Sequence, residues 1–175
     1  MNTFPITVKL DIPNDPEKII EHTKHILSNI LEHVSLDLGY QRRIKLILIE
    51  LITNSIKHSP EAFTSIQLII DEPHLSIQKI EKGIKIAFSA SSPQIPFENV
   101  NNILNISFSE SNRHNIQPLG QYKFKFLKPN HEEKPDIEQI PEHFGLYIIT
   151  MAADSFVYQY DPELGENTYI VHLNF

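Results

Sequence analysis

Glu50, Asn54 and Lys57 recur at three- and four-residue spacing within LILIELITNSIKHS, residues 46–59 of a 175-residue chain. A residue advances roughly 100° around a helix, so, measured from Glu50, Asn54 lies at about +40°, Lys57 at about −20° and Arg43 near +20°. Ile44, Leu48, Ile49, Leu51, Ile52 and Ile56 fall on the other side. A carboxylate, an amide and an ammonium therefore share one stripe of an otherwise apolar helix. The simpler reading is a solvated face carrying intrahelical pairs such as Glu50–Asn54. The sharper one is a phosphate-and-metal site. Mg²⁺ takes hard oxygen ligands, one or two from protein and the rest from water and phosphates, and the Asn54 amide oxygen is such a ligand. Glu50, one turn away, would orient or deprotonate an attacking water or hydroxyl, and Lys57 would offset phosphate charge.

Other candidate chemistry is thinner. His22 and His25 are about 60° apart on a helix, but with no cysteine in the chain and no evident third ligand they read as a polar edge rather than a zinc site. QYKFKF, residues 121–126, interleaves aromatics with lysines as single-strand binders do, yet a strand burying Tyr122, Phe124 and Phe126 explains it as well. No Gly-x-Ser-x-Gly is present, and serine hydrolysis has no support.

The formal net charge of −7 argues against a nucleic-acid binder held by bulk electrostatics. Absence of cysteine excludes a disulfide framework and thiolate metal sites. The N-terminus lacks a basic segment followed by an apolar run, and the most apolar stretch is broken by Lys45, Glu50 and Asn54. A cytoplasmic protein with no membrane span is the expectation.

The elements that must position the stripe follow from periodicity. Ile6, Val8 and Leu10 alternate as a strand. Asp15, Pro16 and Glu17 start a helix over 16–35, Leu36 to Gly39 turn the chain, and a second helix runs from about Gln41 to His58, stopped by Pro60. TSIQLIID predicts a strand, LSIQKI and GIKIAFSA a hairpin turning at Glu81-Lys82-Gly83, and FENVNNILNI a weak helix. Residues 108–142 read as an irregular insert holding one strand at YKFKF, with an acidic stretch at 131–142 that suits a lid, a partner contact or plain surface. GLYIITMAADS predicts a helix, and FVYQYD and TYIVHLNF a closing hairpin. Clustered helices and hairpins favour an α+β fold over a doubly wound sheet.

LILIELITNSIKHS also resembles the N box of the histidine-kinase-like ATPases, the GHKL superfamily, roughly E-x-x-x-N-x-x-K/H-H. Glu50, Asn54, Lys57 and His58 match it position for position. EHFGLYIITMAAD resembles the family's second glycine box, and Gly165 and Thr168 fall near its closing turn. The likeness spans roughly residues 15–175. It implies a single domain over 1–175 with a variable lid at about 108–142. The implied fold is a two-layer α/β sandwich (the Bergerat or histidine-kinase-like ATPase fold) with a mixed, mostly antiparallel sheet and helices on one face. It implies ATP and Mg²⁺ as cofactors, with Glu50 as catalytic base, Asn54 as Mg²⁺ ligand, Lys57 and His58 beside the phosphates, and Gly145 and Leu146 at the phosphate-side turn. The first glycine box departs from the family: FSASSPQIPFEN puts Ser92, Gln94 and Pro96 where D-x-G-x-G should stand, leaving Ser89, Ser91 or Ser92 as a neutral, shorter partner for adenine. His143 replaces the first glycine of the second box. Two accounts stay open: ATP bound through altered contacts, or a degenerate member that binds no nucleotide and serves as a protein–protein interaction module. Among family branches, length favours the stand-alone anti-sigma-factor serine kinases. That branch implies a protein partner of the sigma-factor or anti-sigma-antagonist type, is compatible with a homodimer, and involves neither nucleic acid nor membrane.

Overall fold

The computed structural model describes residues 5–109, 112–129 and 144–175. Its centre is one eight-stranded sheet in the order β1-β2-β3-β8-β7-β6-β5-β4. The strands are β1 (Ile6–Pro13), β2 (Phe63–Asp71), β3 (His74–Lys82), β4 (Leu104–Ser109), β5 (Asn112–Gly120), β6 (Lys123–Phe126), β7 (Ser155–Asp161) and β8 (Glu166–Asn174). Every pairing is antiparallel. The β3–β8 ladder, from His74↔Asn174 to Lys82↔Glu166, joins an N-terminal group of strands to a C-terminal meander. Among the described residues three α-helices accompany the sheet: α1 (Ile19–Leu31), α2 (Leu38–His58) and α3 (Phe144–Ala152).

The expected two-layer α/β sandwich, with a mixed sheet and helices on one face, is overturned. Among the described residues 39% are strand and 30% helix, and the sheet is wholly antiparallel. Two segments account for much of the difference. The weak helix expected over FENVNNILNI does not form: Asn101 takes φ 69° and the chain then enters β4. The expected irregular insert has its strand at YKFKF as β6, but it also takes in the end of β4 and the whole of β5, so that a β4–β5–β6 meander runs into it. Alternation in β5 buries Asn112, His114, Ile116 and Pro118, so polar residue types occupy inward positions and hide the two-residue period. The expected lid beyond residue 129, including the acidic stretch at 131–142, lies outside the described residues, as does His143.

The expected hairpin at 81–83 also fails. β3 runs through Lys82, and Gly83 ends it at φ 152°, a region open mainly to glycine. Residues 84–89 then run outside any strand. The Ile86 N–H donates to the Tyr158 hydroxyl at 2.8 Å, and the Ser89 N–H donates to the Ser107 carbonyl of β4 at 2.7 Å.

The helices follow their signals more closely. Asp15 caps a 3₁₀ turn at Pro16–Lys18, and α1 stops at Leu31 rather than near 35. α2 begins three residues before Gln41 because Asp37 is its N-cap, accepting from the Tyr40 N–H at 2.8 Å. Ile26, Ile30, Ile44, Leu48, Leu51 and Ile149 from the helices share a single buried core with Ile66, Leu68, Ile77, Phe156 and Val171 from the strands. Burial of this kind contributes about 25 cal/mol per Å² of apolar surface and holds α2 and α3 in fixed register. Arg43 reinforces it, donating to the Ala152 carbonyl at 2.9 Å and to Asp154 at 2.7 Å, while the other Asp154 oxygen accepts from the Asn174 N–H at 2.8 Å.

No described helix is long and apolar enough to cross a membrane.

Candidate functional site

α2 carries Glu50 and Asn54 on the face that meets the start of α3. Gly145 lies directly against them. A Cβ placed on Gly145 would fall 2.5 Å from Glu50 Oε2 and 3.4 Å from Asn54 Oδ1. The absence of a side chain at Gly145 is therefore what leaves room for the Glu50 carboxylate in its present position. Both polar residues are half-buried. Burial pushes the Glu50 carboxyl above its ordinary range, and the charge of Lys57 pulls it part of the way back. Lys57 itself is exposed.

Beyond Asn54 opens a cavity of about 210 Å³. Asn54, His58 and Leu146 contribute to it from the helices. Lys79 and Glu81 come from β3, Asn167 and Tyr169 from β8, and Ile84, Ile86, Ala87 and Phe108 supply apolar wall. The β3–β8 ladder sets Lys79 opposite Tyr169 and Glu81 opposite Asn167, which is why the four converge.

The cavity floor is charged and buried. Lys79 is 1% exposed and its Nζ lies 3.0 Å from Glu81 Oε2, which also accepts from the Ser55 hydroxyl at 3.1 Å. The ammonium sits 4.1 Å from the centre of the Tyr169 ring. Burial drives the Lys79 amine below its usual value, and the Glu81 carboxylate opposes that shift. Burial also raises the Tyr169 hydroxyl well above the ordinary phenol value. Tyr158 holds two of the lining residues without lining the cavity itself: it donates to Asn167 Oδ1 at 2.6 Å and accepts from the Ile86 N–H, so β7, β8 and the 84–89 segment are tied together.

Of the residues singled out from sequence, Glu50, Asn54 and Gly145 meet, and Asn54, His58 and Leu146 line one cavity. Ser92 does not join them. Its hydroxyl accepts from the Ser107 N–H at 2.9 Å and lies 3.1 Å from the Ser89 hydroxyl, fastening the 89–92 turn to β4. Thr168 fails for a geometric reason: Asn167 and Tyr169 face the cavity, and strand alternation turns the residue between them to the opposite face of the sheet. Lys57 does not line the cavity either. Lys79 and Glu81 were overlooked, although the signal was present. In LSIQKIE, Leu75, Ile77, Lys79 and Glu81 share one face, so two charges continue an apolar stripe.

No protein-family model matches the chain, and no curated protein matches it.

Proposed function

We propose that this chain is a regulatory domain that binds an adenine nucleotide at the α2–α3 cavity. The observation that carries the reading is the placement of Glu50 and Asn54 together against Gly145, with Asn54 reaching into a cavity whose floor holds the Glu81 carboxylate. Glu81 offers a carboxylate acceptor between apolar walls, with the buried Lys79 ammonium 3.0 Å from it. A carboxylate there complements the amino group of adenine, the contact for which the sequence lacked an aspartate. The phosphates would then lie toward Asn54 and the first turn of α3, whose dipole favours negative charge. The adjacent oxygens of Asn54 and Glu50 are hard donors that fit Mg²⁺, with water and phosphate supplying the remaining ligands. The metal would neutralise phosphate charge.

A serine kinase activity toward a protein partner, of the anti-sigma-antagonist type, belongs to the same proposal. There the partner hydroxyl attacks the terminal phosphorus, its proton passes to the Glu50 carboxylate, and ADP leaves. The raised affinity of Glu50 for protons makes it a stronger base than an ordinary carboxylate. A cytoplasmic setting suits a chain without cysteine that would draw on ATP.

A second reading has its own observation. The cavity's 210 Å³ is smaller than the roughly 300–1,000 Å³ of most ligand sites, and Lys79 and Glu81 already neutralise each other within it. A nucleotide-free interaction module accounts for both. Thermal unfolding with millimolar Mg·ATP separates the two. Nucleotide binding raises the melting temperature, by the equivalent of about 2.7 kcal/mol at one hundred times Kd, and Asn54→Ala removes the rise. An unchanged melting curve selects the interaction module.

A further inference from the structure

α3 presents a second cavity on another of its faces. Leu146 lines the first, whereas Tyr147 and Thr150 line this one. Its volume is about 310 Å³, within the usual range for a small-ligand site and larger than the first. Asn105 from β4 and Arg113, His114 and Asn115 from β5 complete its polar wall.

The lining has a definite electrostatic character. It contains one permanent cation, Arg113, and no carboxylate. Arg113 is exposed and makes no ion pair among the described residues. The surrounding groups are largely committed in ways that keep them oriented. Asn105 Nδ2 donates to Asn115 Oδ1 at 3.1 Å, which leaves the Asn115 amide hydrogens for another acceptor. The Thr150 hydroxyl donates to the Leu146 carbonyl at 2.7 Å, and the His114 ring is held by Asn112 at 2.8 Å. A cation would find no counter-charge here. An oxyanion would find a forked donor, an amide donor and the Tyr147 hydroxyl.

We propose that this second cavity binds a small oxyanion, the phosphate or carboxylate group of a metabolite, with Arg113 as its ion-pairing residue. A planar guanidinium meets either group through two parallel N–H donors. The site stands apart from the α2–α3 cavity and does not depend on nucleotide binding there.

The test is calorimetric titration of the full chain with inorganic phosphate and, separately, with succinate, at low ionic strength. The expected result is saturable millimolar or tighter binding of at least one of them. Stronger binding of phosphate identifies the group as phosphate, and stronger binding of succinate identifies it as carboxylate. Arg113→Met weakens that binding roughly tenfold or more and Arg113→Lys less, because lysine keeps the charge but loses the fork. Since Arg113 is exposed, both variants are expected to keep the parental melting temperature. Absence of saturable binding by either anion, or equal binding by the parent and Arg113→Met, overturns the proposal.

Discussion

Gly145 and Glu50 are in such close apposition that a single added methyl on the glycine would stand 2.5 Å from the Glu50 carboxylate oxygen. The colliding atom is the end of a flexible side chain, so Gly145→Ala is relieved by moving the carboxylate rather than by separating the helices. Alanine also gains about 1 kcal/mol of helix propensity over glycine. Gly145→Ala is therefore expected to unfold within about 1 kcal/mol of the parent while losing the Mg·ATP-dependent rise in melting temperature. Parental stability with parental ligand response would show that the apposition has no functional role.

The pH dependence of Glu50 follows from the direction of its shift. Its folded pKa lies above the unfolded value of 4.5, because burial disfavours the ionised form more than Lys57 favours it. Stability from this group is then fully present below the unfolded value and is lost as pH rises through the folded one. Glu50→Gln removes that loss. The variant is expected to melt above the parent near about pH 7, by no more than about 1 kcal/mol because the carboxylate is only half-buried, and to converge with it below the carboxylate range. Melting curves across that interval decide it. A variant less stable than its parent at neutral pH would contradict the assignment.

What could be read from the chain depended on whether burial and residue type agreed. The α2 stripe was legible because Glu50 and Asn54 interrupt an isoleucine-rich period, and β2 and β6 alternate openly. β5 was not, since Asn112 and His114 fill core-facing positions that the pattern assigns to apolar residues. Residues 84–89 misled in the opposite sense. GIKIAFSA alternates like a strand, yet Ile84 is 91% exposed and Ile86 bonds to a tyrosine hydroxyl. The nearest sequence neighbour also proved a poor guide to the site. Thr168 is separated from the cavity by one step of alternation, while Glu81 arrives from a strand that meets β8 only through long-range pairing.

The wall that those residues form depends on Tyr158. Its buried hydroxyl donates to Asn167 and accepts from Ile86, and burial holds the phenol above its ordinary pKa. Tyr158→Phe leaves a buried amide oxygen and a backbone N–H without partners, a loss of about 1–3 kcal/mol. Denaturant unfolding should show that loss. Hydrogen exchange should show faster exchange at the Ile86 amide, with core amides such as those of β2 following only the global change. Unchanged protection at Ile86 would mean that the segment is held by something other than this bond.

Lys79 and Glu81 offer the most severe test of the cavity floor. A buried charge deprived of its partner costs about 3–5 kcal/mol, whereas replacing both members is far milder. Glu81→Gln is expected to lose an amount in that range at neutral pH, because it leaves a 1%-exposed ammonium with only the Tyr169 ring and neutral dipoles around it. Lys79→Met is expected to lose less, since the Ser55 hydroxyl still donates to the carboxylate. The double variant should be more stable than the sum of the two losses predicts, by at least about 1 kcal/mol. The pH response has a definite sign. The folded Lys79 amine lies below the unfolded value of 10.5, so the unfolded chain holds its proton more tightly and stability from this group grows as pH rises between the two values. Removing the Glu81 carboxylate lowers the folded value further and widens that window. The deficit of Glu81→Gln relative to the parent should therefore shrink as the solution becomes alkaline. Additive single losses, or a deficit that deepens with alkalinity, would mean that the pair is hydrated and that the floor is not the sealed, charge-matched surface that the proposed adenine site requires.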